Sequence, residues 1–136
     1  MKIKFIDRYH QARYNHLREL YSIDGTIDAY RRPLAYLLAL TEDTYKHRDL
    51  LYSKDERHIL PAGLEAAFQT STTRRITLLA FNLYANSTAF CDYDENDIDL
   101  TGFKSLCTPE HIFNDGLAPY FVEALKMRYP EMFRDY

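Results

Sequence analysis

Residues 70 to 75 read Thr70-Ser71-Thr72-Thr73-Arg74-Arg75, a run of hydroxyls followed by two guanidiniums at the head of an apolar segment. Hydroxyls in that position cap a helix by accepting from its unpaired amides. Together with the positive end of the helix dipole, the same groups can hold an anion. The glycines and lysine of a phosphate loop are missing. The pattern therefore predicts a capped helix whose first turn, at Thr70, Ser71, Thr72, Arg74 and Arg75, offers a binding end for an anion or an acidic partner.

A second cluster is acidic. In residues 92 to 99, DYDENDID, the side chains of Asp92, Asp94 and Asn96 alternate as the first ligands of a calcium loop do. The sixth position is Asp97 rather than glycine, and Phe103 stands where the bidentate glutamate belongs. Metal binding is therefore not expected. Asp92, Asp94, Glu95, Asp97 and Asp99 read instead as an acidic partner surface, since clustered carboxylates imitate phosphates electrostatically.

Cys91, Cys107 and His111 lack the closely spaced cysteine pairs of a structural zinc site. His10, His16, His47 and His58 follow no hydrolase order of nucleophile, acid and base, and read as surface or satisfied histidines. No catalytic residue, metal or cofactor is predicted. Asn82 falls within the most apolar segment, where an unpaired amide costs about 1–3 kcal/mol, so a hydrogen-bond partner is expected for it. Near the end of the chain, Tyr120, Tyr129 and Phe133 are candidates for an aromatic interface.

Elements that could position these groups follow from periodicity. Residues 6 to 21 predict a helix with Ile6, Tyr9, Leu17 and Leu20 inward and His10, Gln11, Tyr14 and Arg18 outward. Asp24-Gly25 ends it. Pro33 opens an apolar helix over 34–40, and Thr41-Glu42-Asp43 caps another that should run to Tyr52. After a polar connection, Pro61 begins a short helix reaching Phe68. Residues 73 to 86 are apolar on nearly every side, as a central helix should be, with Ser71 or Thr72 as the cap. A long acidic loop is expected over 87–107. Thr108-Pro109 starts a helix with Phe113 inward. Leu117, Phe121, Ala124, Leu125 and Arg128 then mark one face of a last helix that Pro130 stops.

The expectation is an all-α single compact domain of six or seven short helices around a central one, spanning the 136 residues. Four Gly and five Pro argue against low complexity. The net charge of −3 argues against a general nucleic-acid binder. No run approaches membrane-span length and no signal peptide opens the chain, which predicts a cytoplasmic protein with two reduced thiols.

PAGLEAAFQTSTTRRITLLAFNLYA, with AYRRPLAYLLALTEDTYKHRDLLY before it and IFNDGLAPYFVEALKMRYPEMFR after it, resembles a family of short bacterial proteins of unknown function found in mobile genetic elements. The resemblance covers roughly residues 24 to 134. Phe68, Tyr84 and Val122 stand where that pattern would have tryptophan, and Ser71 where it would have glycine. The resemblance implies a context and no mechanism.

The leading functional expectation is a non-catalytic accessory protein of a mobile element that binds a host protein. Its sharpest form is an inhibitor of a host defence nuclease such as a CRISPR effector. With twelve Tyr, the chain is also suited to pairing with its own copy. One alternative is a small-ligand or phosphate-binding protein, or enzyme, using the Thr70–Arg75 helix start. Another is a nucleic-acid-associated regulator, which would need a basic recognition helix that the sequence does not display.

Overall fold

The computed structural model describes residues 2–85, 108–114 and 116–134. As expected, the chain is mainly helical and packs around one hydrophobic cluster. Its helices are α1 (Arg8–Leu20), α2 (Arg31–Leu38), α3 (Glu42–Lys46), α4 (Ser71–Ala85), α5 (Pro109–Phe113), α6 (Ala118–Arg128) and α7 (Pro130–Phe133). One small ribbon, β1 (Tyr52–Ser53) and β2 (His58–Ile59), interrupts the series. Among the described residues no helix is long and apolar enough to cross a membrane.

Helix α1 begins at Asp7, whose carboxylate accepts from the His10 amide at 2.8 Å. Its buried face is His10, Tyr14 and Leu17. The predicted face is thus corrected: Ile6 and Tyr9 are exposed, while His10 and Tyr14 turn inward. The reason is polar matching. The Ile6 amide donates to His10 Nδ1 at 3.2 Å, so Nε2 carries the proton and donates to the Tyr36 carbonyl at 3.0 Å. A neutral imidazole with both nitrogens paired can be buried without an unpaired polar group.

Asp24 and Gly25 both adopt positive φ, 54° and 79°, as the two central residues of a tight reversing turn require. Ile23 and Thr26 close the turn with two backbone hydrogen bonds, of 2.8 and 3.1 Å. Asp28 then accepts from the amides of Tyr30 and Arg31 and starts α2. Every residue from Pro33 to Leu40 is buried. Helix α2 packs against α1, α4 and α6. Arg13 of α1 fastens its end, donating from Nε to the Ala39 carbonyl at 2.7 Å and from a terminal nitrogen to the Leu40 carbonyl at 3.3 Å. A cation at the negative end of a helix is favoured by the dipole as well.

Thr41 caps α3, accepting from the Thr44 amide at 3.1 Å. The helix does not reach Tyr52 as predicted. It stops at Lys46, and a 3-10 turn over Arg48–Leu50 leads into β1. The segment from 51 to 60 reverses because Tyr52 pairs with Ile59 and Ser53 with His58. The Arg57 amide closes the loop on the Ser53 carbonyl at 2.7 Å. A second 3-10 turn, Pro61–Glu65, replaces the short helix expected to run to Phe68. It passes so near the preceding chain that a Cβ on Gly63 would lie 2.3 Å from the Leu50 carbonyl oxygen.

Helix α4 contacts α2, α3, α5, α6, β2 and the Pro61–Glu65 turn, so the apolar segment is central as predicted. Its cap lies one residue before Ser71. Thr70 Oγ1 accepts from the Thr73 amide at 3.1 Å, and Thr73 Oγ1 accepts from the Thr70 amide at 2.7 Å. This is the reciprocal pairing of a capping box, with threonine in place of glutamate. Asn82, expected inside, is exposed.

At the other end, Thr108 caps α5 through the His111 amide. Ile112 is the buried residue of α5, and Phe113 is half-buried, edge-on to Phe121 at 5.7 Å between ring centres. Helix α6 buries Phe121, Glu123, Ala124 and Met127. The charged member of that set is accounted for by the N-terminal segment: the Lys4 amide donates to Glu123 Oε2 at 2.7 Å. The Lys4 carbonyl in turn accepts from the Tyr36 hydroxyl at 2.5 Å.

Candidate functional site

The helix start at Thr70 is built as a scaffold joint. The amides of Thr70 and Thr73, two donors an anion would draw on, are already paired within the cap. Gln69 extends the cluster, accepting from Thr73 Oγ1 at 2.7 Å. Ser71 is exposed and Thr72 half-exposed at the surface of the same turn. Arg74 donates from Nε to the Leu64 carbonyl at 3.3 Å, and Arg75 from Nε to the His111 carbonyl at 2.9 Å. These two bonds fasten the 3-10 turn and α5 to α4. The two guanidiniums also act on His111: burial first, then their charge, hold its imidazole below the usual histidine range.

Asp92, Asp94, Glu95, Asp97 and Asp99, with Cys91, Cys107 and the 87–107 loop as a whole, lie outside the described residues. Among the described residues there is no group of three or more His, Cys, Asp or Glu that could hold a metal ion.

Tyr120 is half-buried against His10, 6.4 Å between ring centres, with the Lys4 ammonium 5.8 Å from its ring. Tyr129 flanks Arg128, whose guanidinium lies 4.6 Å from that ring and 3.9 Å from the ring of Tyr30. Arg128 also donates from Nε to the Leu83 carbonyl at 2.9 Å, near the end of α4. Phe133 is half-buried on α7.

What the fold does assemble is a groove of about 770 Å³ between the start of α1 and helix α3. Tyr9 and Arg13 line one wall, and Tyr45, Lys46 and Arg48 the other, with Glu42 at the edge. Periodicity explains the walls: Tyr9 and Arg13 are four apart on α1, as are Glu42 and Lys46 on α3. Each tyrosine carries a guanidinium: Arg8 lies 5.0 Å from the Tyr9 ring centre and Arg48 4.8 Å from that of Tyr45. The Tyr45 hydroxyl meets His16 Nδ1, which ties α3 to α1 under the groove. Arg48 donates to the Tyr45 carbonyl and Arg13 to Ala39 and Leu40, so both guanidiniums are held in place. Tyr9 is 57% exposed.

A model of a family of unknown function, DUF6075, matches residues 1–136. The chain belongs to that family. No curated protein and no solved structure matches it. The family therefore supplies kinship without chemistry, and the groove must be read from its own residues.

The sequence reading missed this groove. Its walls come from elements some thirty positions apart, and Tyr9, its exposed aromatic, sits on a helix face predicted to be inward. The legible sign was local: tyrosine and arginine recur together at Arg8-Tyr9, at Arg13-Tyr14 and in Tyr45–Arg48.

Proposed function

We propose that this member of the family is a non-catalytic protein-binding module that seats a partner protein in the α1–α3 groove. The observation that carries the reading is the pairing of exposed Tyr9 with Tyr45 across the groove, each stacked by an arginine. Tyrosine and arginine dominate the residues whose loss most weakens protein interfaces. They present large, rigid area at low entropic cost. Glu42 and Lys46 set both signs of charge at the edge. The partner is a protein surface that inserts an aromatic or aliphatic side chain between the two tyrosines and answers Glu42 and Lys46 with opposite charges. The narrower form, an inhibitor of a host defence nuclease carried on a mobile element, draws on the net charge of −3 and the acidic run 92–99.

The test is affinity capture from host lysate with the wild type, a Tyr9→Ala, Lys46→Glu double variant and a control, Met132→Ala, at an exposed residue that does not line the groove. A partner held by the wild type and the control but lost by the groove variant supports the proposal. Capture of nothing specific, or equal capture by all three, overturns it. Light scattering on the same samples shows whether the occupant is a second copy of the chain. The narrower form is tested by expressing the protein in a host with an active defence nuclease; unchanged defence defeats that form alone.

A further inference from the structure

The Tyr14 side chain is 2% exposed, and its hydroxyl is buried without a hydrogen-bond partner among the described residues. Such an orphan is uncommon in folded proteins, because a buried hydroxyl without a partner loses its bonds to water and gains none. Tyr14 forms part of the wall of a pocket of about 480 Å³, whose other walls include Arg18, Glu19, Thr26, Ile27 and Arg32. Burial raises the phenol's pKa, and the charges of Arg32 and then Arg18 act against that rise.

The two cations are available for a ligand. Arg32 uses one donor on the Ile27 carbonyl at 3.4 Å, which holds it at the mouth. Among the described residues the Arg18 guanidinium has no hydrogen bond or ion pair, and its residue is exposed. Gly25 and Thr26 of the reversing turn also line the pocket. Gly25 has open space where a side chain would stand, and next to it Thr26 contributes an exposed hydroxyl. Glu19 is the one acid in the lining, so the pocket carries an excess of one positive charge.

We infer that this pocket binds a small phosphate monoester, with Arg18 and Arg32 gripping the phosphate and the buried Tyr14 hydroxyl turning outward to donate to one of its oxygens. Donors come from three segments: the Tyr14 phenol and the Arg18 guanidinium from α1, the Thr26 hydroxyl from the turn and the Arg32 guanidinium from α2. A carboxylate, with two oxygens in one plane, cannot answer all of them, whereas a phosphate has three terminal oxygens in a tetrahedral array. The volume leaves room for a small organic group beyond the phosphate, near Ile27 and Glu19. This site stands on the opposite side of α1 from the groove lined by Tyr9 and Arg13, so the two readings stand or fall separately.

Thermal melts and phosphorus NMR, with inorganic phosphate and glycerol 3-phosphate at constant ionic strength, test the proposal. A saturable rise in melting temperature is expected for the wild type. Arg18→Gln, an exposed change that leaves the fold intact, should weaken binding at least about tenfold. Tyr14→Phe should melt at or above the wild-type temperature without phosphate, yet bind phosphate several-fold more weakly. Stronger binding of glycerol 3-phosphate than of phosphate identifies the ester; equal binding limits the site to the bare anion and overturns the ester. No saturable shift, or identical binding by the wild type and Arg18→Gln, overturns the site altogether.

Discussion

The imidazole of His10 donates from Nε2 to the main-chain carbonyl of Tyr36, 3.0 Å away, and joins α1 to α2 inside the core. Because Nδ1 simultaneously accepts from the Ile6 amide, the ring is neutral in the folded state. Burial is the main cause that lowers its pKa to about 4, with Arg13 adding to the fall while the Tyr36 carbonyl and Asp7 oppose it. The half-buried Tyr120 from α6 faces the same ring.

The first prediction concerns pH. The unfolded chain takes up a proton at this histidine near pH 6.5, and the folded chain only near 4. In that window the unfolded state binds more protons, so stability is full above 6.5 and falls as pH drops toward 4. The loss should not exceed about 3–4 kcal/mol, from about 1.36 kcal/mol per unit of pKa difference. Urea titrations at a series of pH values should show this slope, flattened in His10→Gln. Two-dimensional NMR should place His10 and His111 below the usual histidine range. His58 should titrate above it, because it donates to both the Ile59 carbonyl and the Glu56 carboxylate. A His10 that titrates near 6.5 would contradict the buried neutral ring.

Arg13 should matter through its fork. Arg13→Ala leaves the carbonyls of Ala39 and Leu40 without their charged donor and should cost about 1.5–3 kcal/mol in urea unfolding. Arg13→Lys should recover less than half of that, because a single ammonium does not reproduce the planar pair of donors.

The cap of α4 separates adjacent hydroxyls. Thr70→Ala should destabilise by about 1 kcal/mol. Ser71→Ala, an exposed change inside the first turn, should stay within about 0.5 kcal/mol. Equal effects at the two positions would place the cap at the wrong residue.

Gly63→Ala should be among the more damaging small substitutions. The new methyl would meet the backbone of Leu50, which cannot rotate away as a side chain can. Overpacking of this kind costs about 1–3 kcal/mol or more. A lowered denaturation midpoint with an unchanged slope is the expected result.

Which of these features the sequence displays depends on how local their causes are. Thr41 and Thr108-Pro109 were legible because each acts on the few residues beside it, whereas Asp24-Gly25, read as the stop of α1, forms a separate turn after the helix has ended at Leu20. The apolar length of α4 was legible because few other elements tolerate such a composition. The inward face of α1 was not. Hydropathy favours Ile6 and Tyr9 for the interior, yet His10 and Tyr14 occupy it, and the Tyr36 carbonyl that makes His10 acceptable comes from another helix. The ribbon at 52–59 was hidden for a related reason: only two residues pair on each side, too few for alternation to register. The helix-start arginines were visible as a pair, but their carbonyl partners at Leu64 and His111 belong to segments whose placement the pattern could not supply. Tyr14 with Arg18 was present at helical spacing. Its meaning depends on Arg32 and on a turn that brings the chain back beside it.

The main-chain groups of Lys4 are held by Tyr36 on one side and by Glu123, 119 positions further on, on the other. During synthesis the Lys4 amide must therefore wait for α6 before it finds its acceptor. Until α6 emerges, this segment is held from α1 and α2 alone, and a nascent chain stalled before that point would leave the Lys4 amide without its carboxylate. Closure of this contact is thus timed by the emergence of α6 rather than by the appearance of the central helices.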